Sequence, residues 1–273
     1  MRRKRCSSRF WLANRVHDVV LERAENPVWL SNAYLIADEP GGKGVLVDSN
    51  EATEPLVERV ERDGTEITHV LLTHHHFDHV VGAEKLAERF GVPVLAHPQC
   101  AELLPDVVTE TIDDGDVVES GGLRIEALHT PGHCADHLAL KVGDGDVLTA
   151  DVLFAGTVGG TRAPGATGFE DLKSSVMDKL MRLPPETRVH PGHRGPTTIG
   201  EEWERNPFIR IWRGLDEESA DRCSLGPPDA EEREEATLVL WAPDYDGGNK
   251  AWVRFPDGTD AIVGGSQVKR GAS

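Results

Sequence analysis

The sequence predicts an α+β chain: mixed sheets packed as a sandwich with helices outside, followed by a small C-terminal β appendage. Three observations predict it. Helical and strand-like stretches alternate through residues 28–213, yet several strands follow one another across tight turns, which excludes a purely parallel doubly wound sheet. Residues 214–235 change character, with acidic runs flanking Gly226-Pro227-Pro228, and read as a solvated linker. Beyond it, residues 236–273 hold three short strand candidates separated by Asp246-Gly247-Gly248 and Pro256-Asp257-Gly258, turn chemistry typical of hairpins.

The elements follow in order. Val28 to Ala37 and Gly44 to Asp48 read as two strands joined across Glu39-Pro40-Gly41-Gly42. Thr53 to Arg62 places Leu56, Val57 and Val60 at helical spacing. Ile67 to Leu72 is a short apolar run of the kind a buried strand shows. Gly82 to Phe90 reads as a helix and Val92 to Ala96 as a strand. Further strands are expected at Leu123 to Leu128, Leu138 to Val142 and Asp146 to Thr149. Phe169 to Leu183 reads as a helix with Leu172, Val176 and Leu180 on one face, closed by Pro184-Pro185. The last strand of this part, Arg188 to His190, leads into Pro191-Gly192-His193. Residues 1–20 read as a flexible basic tail, because no apolar core region follows Met1-Arg2-Arg3-Lys4-Arg5.

The net charge of −18, from 47 acidic and 29 basic residues, repels phosphate backbones and anionic lipid heads. Nucleic acid and membrane are therefore not the expected partners; a small molecule is. No apolar stretch approaches the roughly 20 residues that span a bilayer. Cys6, Cys100, Cys134 and Cys223 are far apart and form no Cys-x-x-Cys pair, so they read as reduced thiols of a cytoplasmic protein.

The chemistry concentrates at His74-x-His76-x-Asp78-His79, between a buried strand and a helix. Four ligand-type side chains within six residues are costly to bury unless they bind something. Imidazole and carboxylate together suit zinc, iron or manganese. His75 is expected to face away and Phe77 to pack. Further ligand types stand at strand ends, where loops gather on one edge of a sheet: His133 in Thr130-Pro131-Gly132-His133, Asp151 after Ala150, and His193 in Pro191-Gly192-His193. His190 competes with His193. His97 and His129 read as packing residues, and His137 and Cys134 as structural. Arg162 is a candidate for holding a substrate carboxylate, or else a surface ion pair.

This set, with Asn32-Ala33-Tyr34-Leu35-Ile36, Val45-Leu46-Val47-Asp48, Asp151-Val152-Leu153-Phe154, and Thr197 to Gly200 through Asn206-Pro207-Phe208, resembles the metallo-β-lactamase superfamily. Within it the chain is similar to the glyoxalase II-like (hydroxyacylglutathione hydrolase-like) group. The resemblance implies a four-layer αββα sandwich over residues 21–213. It implies one metal on His74, His76 and His133, a second on Asp78, His79 and His193, and Asp151 bridging both. Two divalent ions would be held, zinc foremost with iron or manganese as alternatives. The chain departs from the group at Ala150 and Arg194, where glycine is usual, and at Cys134-Ala135-Asp136-His137 and Gly160-Thr161-Arg162.

The activity so implied is hydrolysis of a thioester or related acyl compound, with Asp78 and Asp151 acting beside a metal-bridged water whose pKa falls towards roughly 7. No Gly-x-Ser-x-Gly elbow supports a serine hydrolase. A one-iron enzyme resembling the persulfide dioxygenases is the first alternative. A lactonase of the same fold is the second; the lack of any tyrosine between Asp151 and His193 counts against it, since Tyr34 and Tyr245 are the only two.

Overall fold

The computed structural model describes residues 19–227, 230 and 232–271. The tail expected over 1–20 lies outside the described residues up to position 18, and by Val20 the chain is already a strand.

The first half contains β1 (Val20–Glu25), β2 (Asn32–Ala37), β3 (Lys43–Val47), the two-residue β4 (Ser49–Asn50), α1 (Glu54–Asp63), β5 (Glu66–Leu71), α2 (Phe77–Val80), α3 (Ala83–Phe90), β6 (Val94–Ala96), α4 (Pro98–Leu103) and β7 (Glu110–Thr111). Its sheet has the order β1-β2-β3-β5-β6-β7. β1, β2 and β3 pair antiparallel, and β5 joins β3 in parallel. The second half contains β8 (Val117–Ser120), β9 (Leu123–His129), β10 (Leu138–Val142), β11 (Asp146–Ala150), β12 (Leu153–Phe154), β13 (Thr157–Val158), α5 (Phe169–Ser174), β14 (Arg188–Pro191), β15 (Thr197–Thr198), α6 (Ile199–Arg205) and α7 (Pro207–Trp212). Its sheet runs β15-β14-β11-β10-β9-β8. The helix expected to reach Leu183 is α5, continued by a π turn over Ser175–Lys179 and a 3-10 turn over Leu180–Arg182.

Alternation along the strands decides the layers. In β2 and β3, Tyr34, Ile36, Val45 and Val47 face Leu123, Ile125, Leu138 and Leu140 of the second sheet in a core between the sheets. The alternate residues Leu35 and Leu46 turn the other way, onto Leu56, Val57 and Val60 of α1 and Leu86 of α3. Ala139 and Val147 of the second sheet face Leu172 of α5 and Phe208 and Ile209 of α7. Helix, sheet, sheet, helix is the αββα sandwich.

The C-terminal part departs from the expected linker and three strands. β16 (Asp221–Leu225) arises inside the acidic stretch, then β17 (Glu234–Pro243), β18 (Asn249–Arg254), β19 (Asp260–Gly264) and β20 (Val268–Arg270) follow. They form one sheet, β19-β18-β17-β16-β20. Charge concealed β16: its buried Cys223 and Leu225 alternate with the exposed Arg222 and half-buried Ser224. One face of this sheet forms its own core of Leu238, Val253 and Val263. The other inserts Val239, Trp252 and Ile262 beside Phe169 and Leu172 of the sandwich. Thr161 and Ile262 add a reciprocal pair of hydrogen bonds, each at 2.9 Å. The aromatics of this module divide: Trp252 seals the outer layer, while Trp241 and Phe255 stay with the module.

Candidate metal centre

Four chain segments deliver the seven candidate side chains to one edge of the sandwich. The loop after β5 carries His74 and His76, and the single turn of α2 brings round Asp78 and His79. Asp151 follows β11, and His193 follows the end of β14. Two glycines make the convergence possible. Gly132 holds φ +131° against the backbone of Leu172, and a Cβ at Gly192 would overlap Asp151 Oδ1. Asn32 and Tyr34 fasten the latter turn: Asn32 Nδ2 and the Tyr34 hydroxyl donate to Pro191 O at 2.8 and 2.6 Å.

The seven residues form two groups. One ligand atom each of His74, His76, His133 and Asp151 lies within 4.8 Å of the others, and so do those of Asp78, His79 and His193. Asp151 stands between the groups. Its Oδ2 lies 4.0 Å from His74 Nε2, 3.6 Å from His133 Nε2 and 3.4 Å from His193 Nε2, while Oδ1 lies 3.4 Å from His79 Nε2. Asp78 Oδ2 is 3.6 Å from His79 Nε2 and 3.7 Å from His193 Nε2.

Hydrogen bonds on the far side of the His74, His76, His79 and His133 rings set their tautomers. His76 Nε2 donates to Pro164 O at 3.0 Å and His133 Nδ1 to Gly160 O at 2.9 Å. Their remaining nitrogens, His76 Nδ1 and His133 Nε2, then face each other at 3.0 Å with lone pairs. His79 Nδ1 donates to Asp48 Oδ2 at 2.9 Å. Thr73 Oγ1 donates to the same oxygen at 2.8 Å and accepts from His74 Nδ1 at 3.0 Å. Among the described residues the buried His74 Nε2, His79 Nε2 and Asp151 Oδ1 are left without a hydrogen-bond partner. Opposed lone pairs and orphaned buried acceptors are costly unless a cation lies between them. The donor set thus fits two divalent ions.

Electrostatics agree. Burial drives His74 well below its ordinary value and His133 down to about 4. Burial opposes the charge on His79 too, but Asp151 and Asp48 overcome it and push His79 up to about 9. Burial would raise Asp151; the neighbouring His193 and His79 hold its carboxyl well below the usual range instead.

The other residues singled out in the sequence lie outside the two groups. His190 Nε2 donates to Asp146 Oδ1 at 2.7 Å, away from the two groups. His97 and His129 stack on one another at 4.4 Å. Phe77 does not pack inside: it is 64 % exposed and meets Trp29 edge-on at 5.3 Å. His75 faces away from the two groups but is not idle. It donates to Asp136 Oδ1 at 2.7 Å and forms a third cluster with Cys134. The guanidinium of Arg162, a candidate for a substrate carboxylate, is instead engaged by Glu234 Oε2 at 2.9 Å and lies over Phe255. Cys100, Cys134 and Cys223 are free thiols and buried; Cys6 lies outside the described residues.

Three further residues contribute to the centre, of which only His137 has a role in the sequence reading, a structural one. Asp48 orients His79 and Thr73; its place at the end of Val45-Leu46-Val47-Asp48 was the available signal. His137 Nε2 accepts the Asp151 N–H at 3.1 Å while its Nδ1 donates to Thr130 Oγ1 at 2.8 Å, and burial drives its pKa down to about 3. Tyr245, from the loop between β17 and β18, stacks on the His193 ring at 4.4 Å with an interplanar angle of 16°. The gap in tyrosines between Asp151 and His193 therefore does not leave the site without one. Burial, with Asp151 next, pushes the Tyr245 phenol upward, so it stays protonated.

An αββα sandwich with paired His/Asp groups at one edge defines a metallohydrolase-type scaffold. The chain belongs to the metallo-β-lactamase superfamily, whose family profile matches residues 26–193. It is 32% identical over 197 residues to the hydroxyacylglutathione hydrolase GloC of Haemophilus influenzae, across 65% of this chain and 92% of that protein. The solved structure of ETHE1 from Myxococcus xanthus aligns with TM-score 0.64 and 30% identity, covering 72% of this chain and 91% of that one. TTHA1623, solved in a di-iron-bound form, aligns with TM-score 0.57 and 34% identity over 68% of this chain and 98% of its own. Among the described residues no helix is long and apolar enough to cross a membrane.

Proposed function

We propose that the protein hydrolyses acyl compounds, thioesters such as hydroxyacyl-thiol conjugates foremost, at a centre of two divalent metal ions. One ion would be held by His74, His76 and His133, the other by Asp78, His79 and His193, with Asp151 shared. Zinc is the expected metal. Bound there, such ions supply a Lewis acid for the acyl oxygen and a water of lowered pKa.

The chain's own residues provide the rest. Asp78 and Asp151 place carboxylate oxygens within 3.7 Å of His193 Nε2, where they can orient an attacking water and accept its hydrogen bonds. Asp48, Gly160 O and Pro164 O fix the ring tautomers so that bare nitrogens face inward. A thiolate, base of an acid of pKa about 8.5, departs with little help from an acid. The observation that carries this reading is the Asp151 carboxylate standing between two His/Asp groups, with His74 Nε2 in one and His79 Nε2 in the other buried and without a hydrogen-bond partner among the described residues. The hydroxyacylglutathione hydrolase name of GloC supports the substrate class.

The test is elemental analysis of the purified protein together with a panel of thioesters, S-lactoylglutathione among them, followed with a thiol reagent. Two metal ions per chain and metal-dependent thiol release are expected. The di-iron form of TTHA1623 favours a second reading, iron-based chemistry on the same residues. Iron in the purified protein, oxygen uptake and sulfite formation from a persulfide would replace the hydrolytic reading with that one.

A further inference from the structure

We propose that the C-terminal sheet is part of the active site and that Tyr245 is its substrate-contacting residue, its hydroxyl donating a hydrogen bond to the bound acyl compound. The proposal rests on the hydrolytic reading above and names a residue beyond the family match, which ends at His193.

Tyr245 is held as a fixed wall of the centre. One neighbour of its ring is His193; another, at 4.8 Å, is Phe154. Arg194 Nε, one residue after His193, donates to Tyr245 O at 3.1 Å. Lys250 Nζ lies 5.3 Å from the ring centroid and forms a buried ion pair with Asp244 at 3.0 Å. A loop fastened by a stack, a backbone contact and a buried ion pair presents its side chain in one orientation.

The hydroxyl itself has no role in that fastening. Among the described residues it has no hydrogen-bond partner, and the residue is half-buried. The Tyr34 hydroxyl, by contrast, is consumed by Pro191 O. A hydroxyl on a ring stacked against His193 at the rim of the centre, with no partner among the described residues, is placed to serve an oxygen of the substrate that gains charge during acyl transfer. A tyrosine present only to cover His193 would need the ring and not the hydroxyl.

Tyr245→Phe separates these cases, because it keeps the stack. The full-length variant and the wild type are compared by metal content, by kcat and KM on the best thioester, and by binding of an alkyl methylphosphonate to the cobalt(II)-loaded protein through its visible spectrum. Expected are unchanged metal content, a 10- to 100-fold lower kcat/KM and about tenfold weaker phosphonate binding. Equal kinetics and equal phosphonate binding in the two proteins overturn the proposal, as does a loss of activity that merely tracks lost metal. A wild type inactive on every acyl substrate, with phosphonate binding still weakened by Tyr245→Phe, would sink the hydrolytic reading and leave the Tyr245 contact standing.

Discussion

Asp48 Oδ2 accepts the Nδ1 proton of His79 across 2.9 Å, and both side chains are buried. The same carboxylate takes the Thr73 N–H on Oδ1 and the Thr73 hydroxyl on Oδ2, each at 2.8 Å. Every lone pair in use accepts, so only an ionised carboxylate satisfies the network. An amide in its place would turn a donor towards His79 or Thr73. His79 would then favour the tautomer with its proton on Nε2, the atom that faces Asp151. Asp48→Asn is therefore expected to weaken metal retention about 10- to 100-fold, measured by competition with a chelator of known affinity. Unaltered retention would show that the tautomer is set elsewhere.

Ala150 holds φ +39° immediately before Asp151, with its side chain buried. A left-handed backbone is tolerated by alanine with strain and resisted strongly by β-branched residues. Gly192 packs against the Ala150 backbone, so the turn cannot relax in that direction. Ala150→Val is expected to cost about 2 kcal/mol or more, lowering Tm by roughly 4–8 °C, and to release metal through the displaced Asp151. A thermal scan and elemental analysis check both. A variant as stable as the parent would mean that the bend after β11 is looser than its neighbours imply.

How much of this was legible in the sequence depends on the range of the forces involved. The seven ligand-type residues announce themselves by type and by position at strand ends, and the sandwich follows from strands joined across tight turns among helical stretches. The departures at Ala150 and Arg194 were also visible, and both prove to be left-handed positions, at φ +39° and +63°. What composition conceals is what depends on distant partners. Asp48 and His79 are separated by 31 positions, and His193 and Tyr245 by 52. No local pattern says that an aromatic in a late hairpin will stack on a histidine at the edge of another sheet. β16 was missed because its two buried residues are outnumbered by charge in the surrounding stretch.

Arg162 shows the same limit, with a testable consequence. Its ion pair with Glu234 joins the sandwich to β17, with side chains 46 and 52 % exposed. Exposed pairs contribute about 0–1 kcal/mol. Arg162→Ala should leave KM within about twofold of the wild type and shift Tm only slightly. A large rise in KM without loss of stability would restore Arg162 to the substrate.

The buried histidines make the metal-free protein sensitive to pH in both directions. His133 and His137, driven by burial to about 4 and about 3, resist protonation in the fold but accept protons once unfolded, near their ordinary value of 6.5. The unfolded state thus binds more protons below pH 6.5, and stability falls as the solution is acidified through that range. His79 acts oppositely. Asp151 and Asp48 raise it to about 9 against burial, so its contribution is fully present below 6.5 and is lost as pH rises towards 9. The chelated protein should therefore show its highest Tm near pH 6.5, with decline on both sides. Loading with metal displaces the His79 proton, so the alkaline decline should vanish while the acid decline sharpens as protons compete for the imidazoles. Thermal scans of chelated and zinc-loaded protein from about pH 4 to about pH 10 read both limbs. Parallel curves for the two forms would mean that His79 does not exchange its proton for metal, and would remove it from the proposed ligand set.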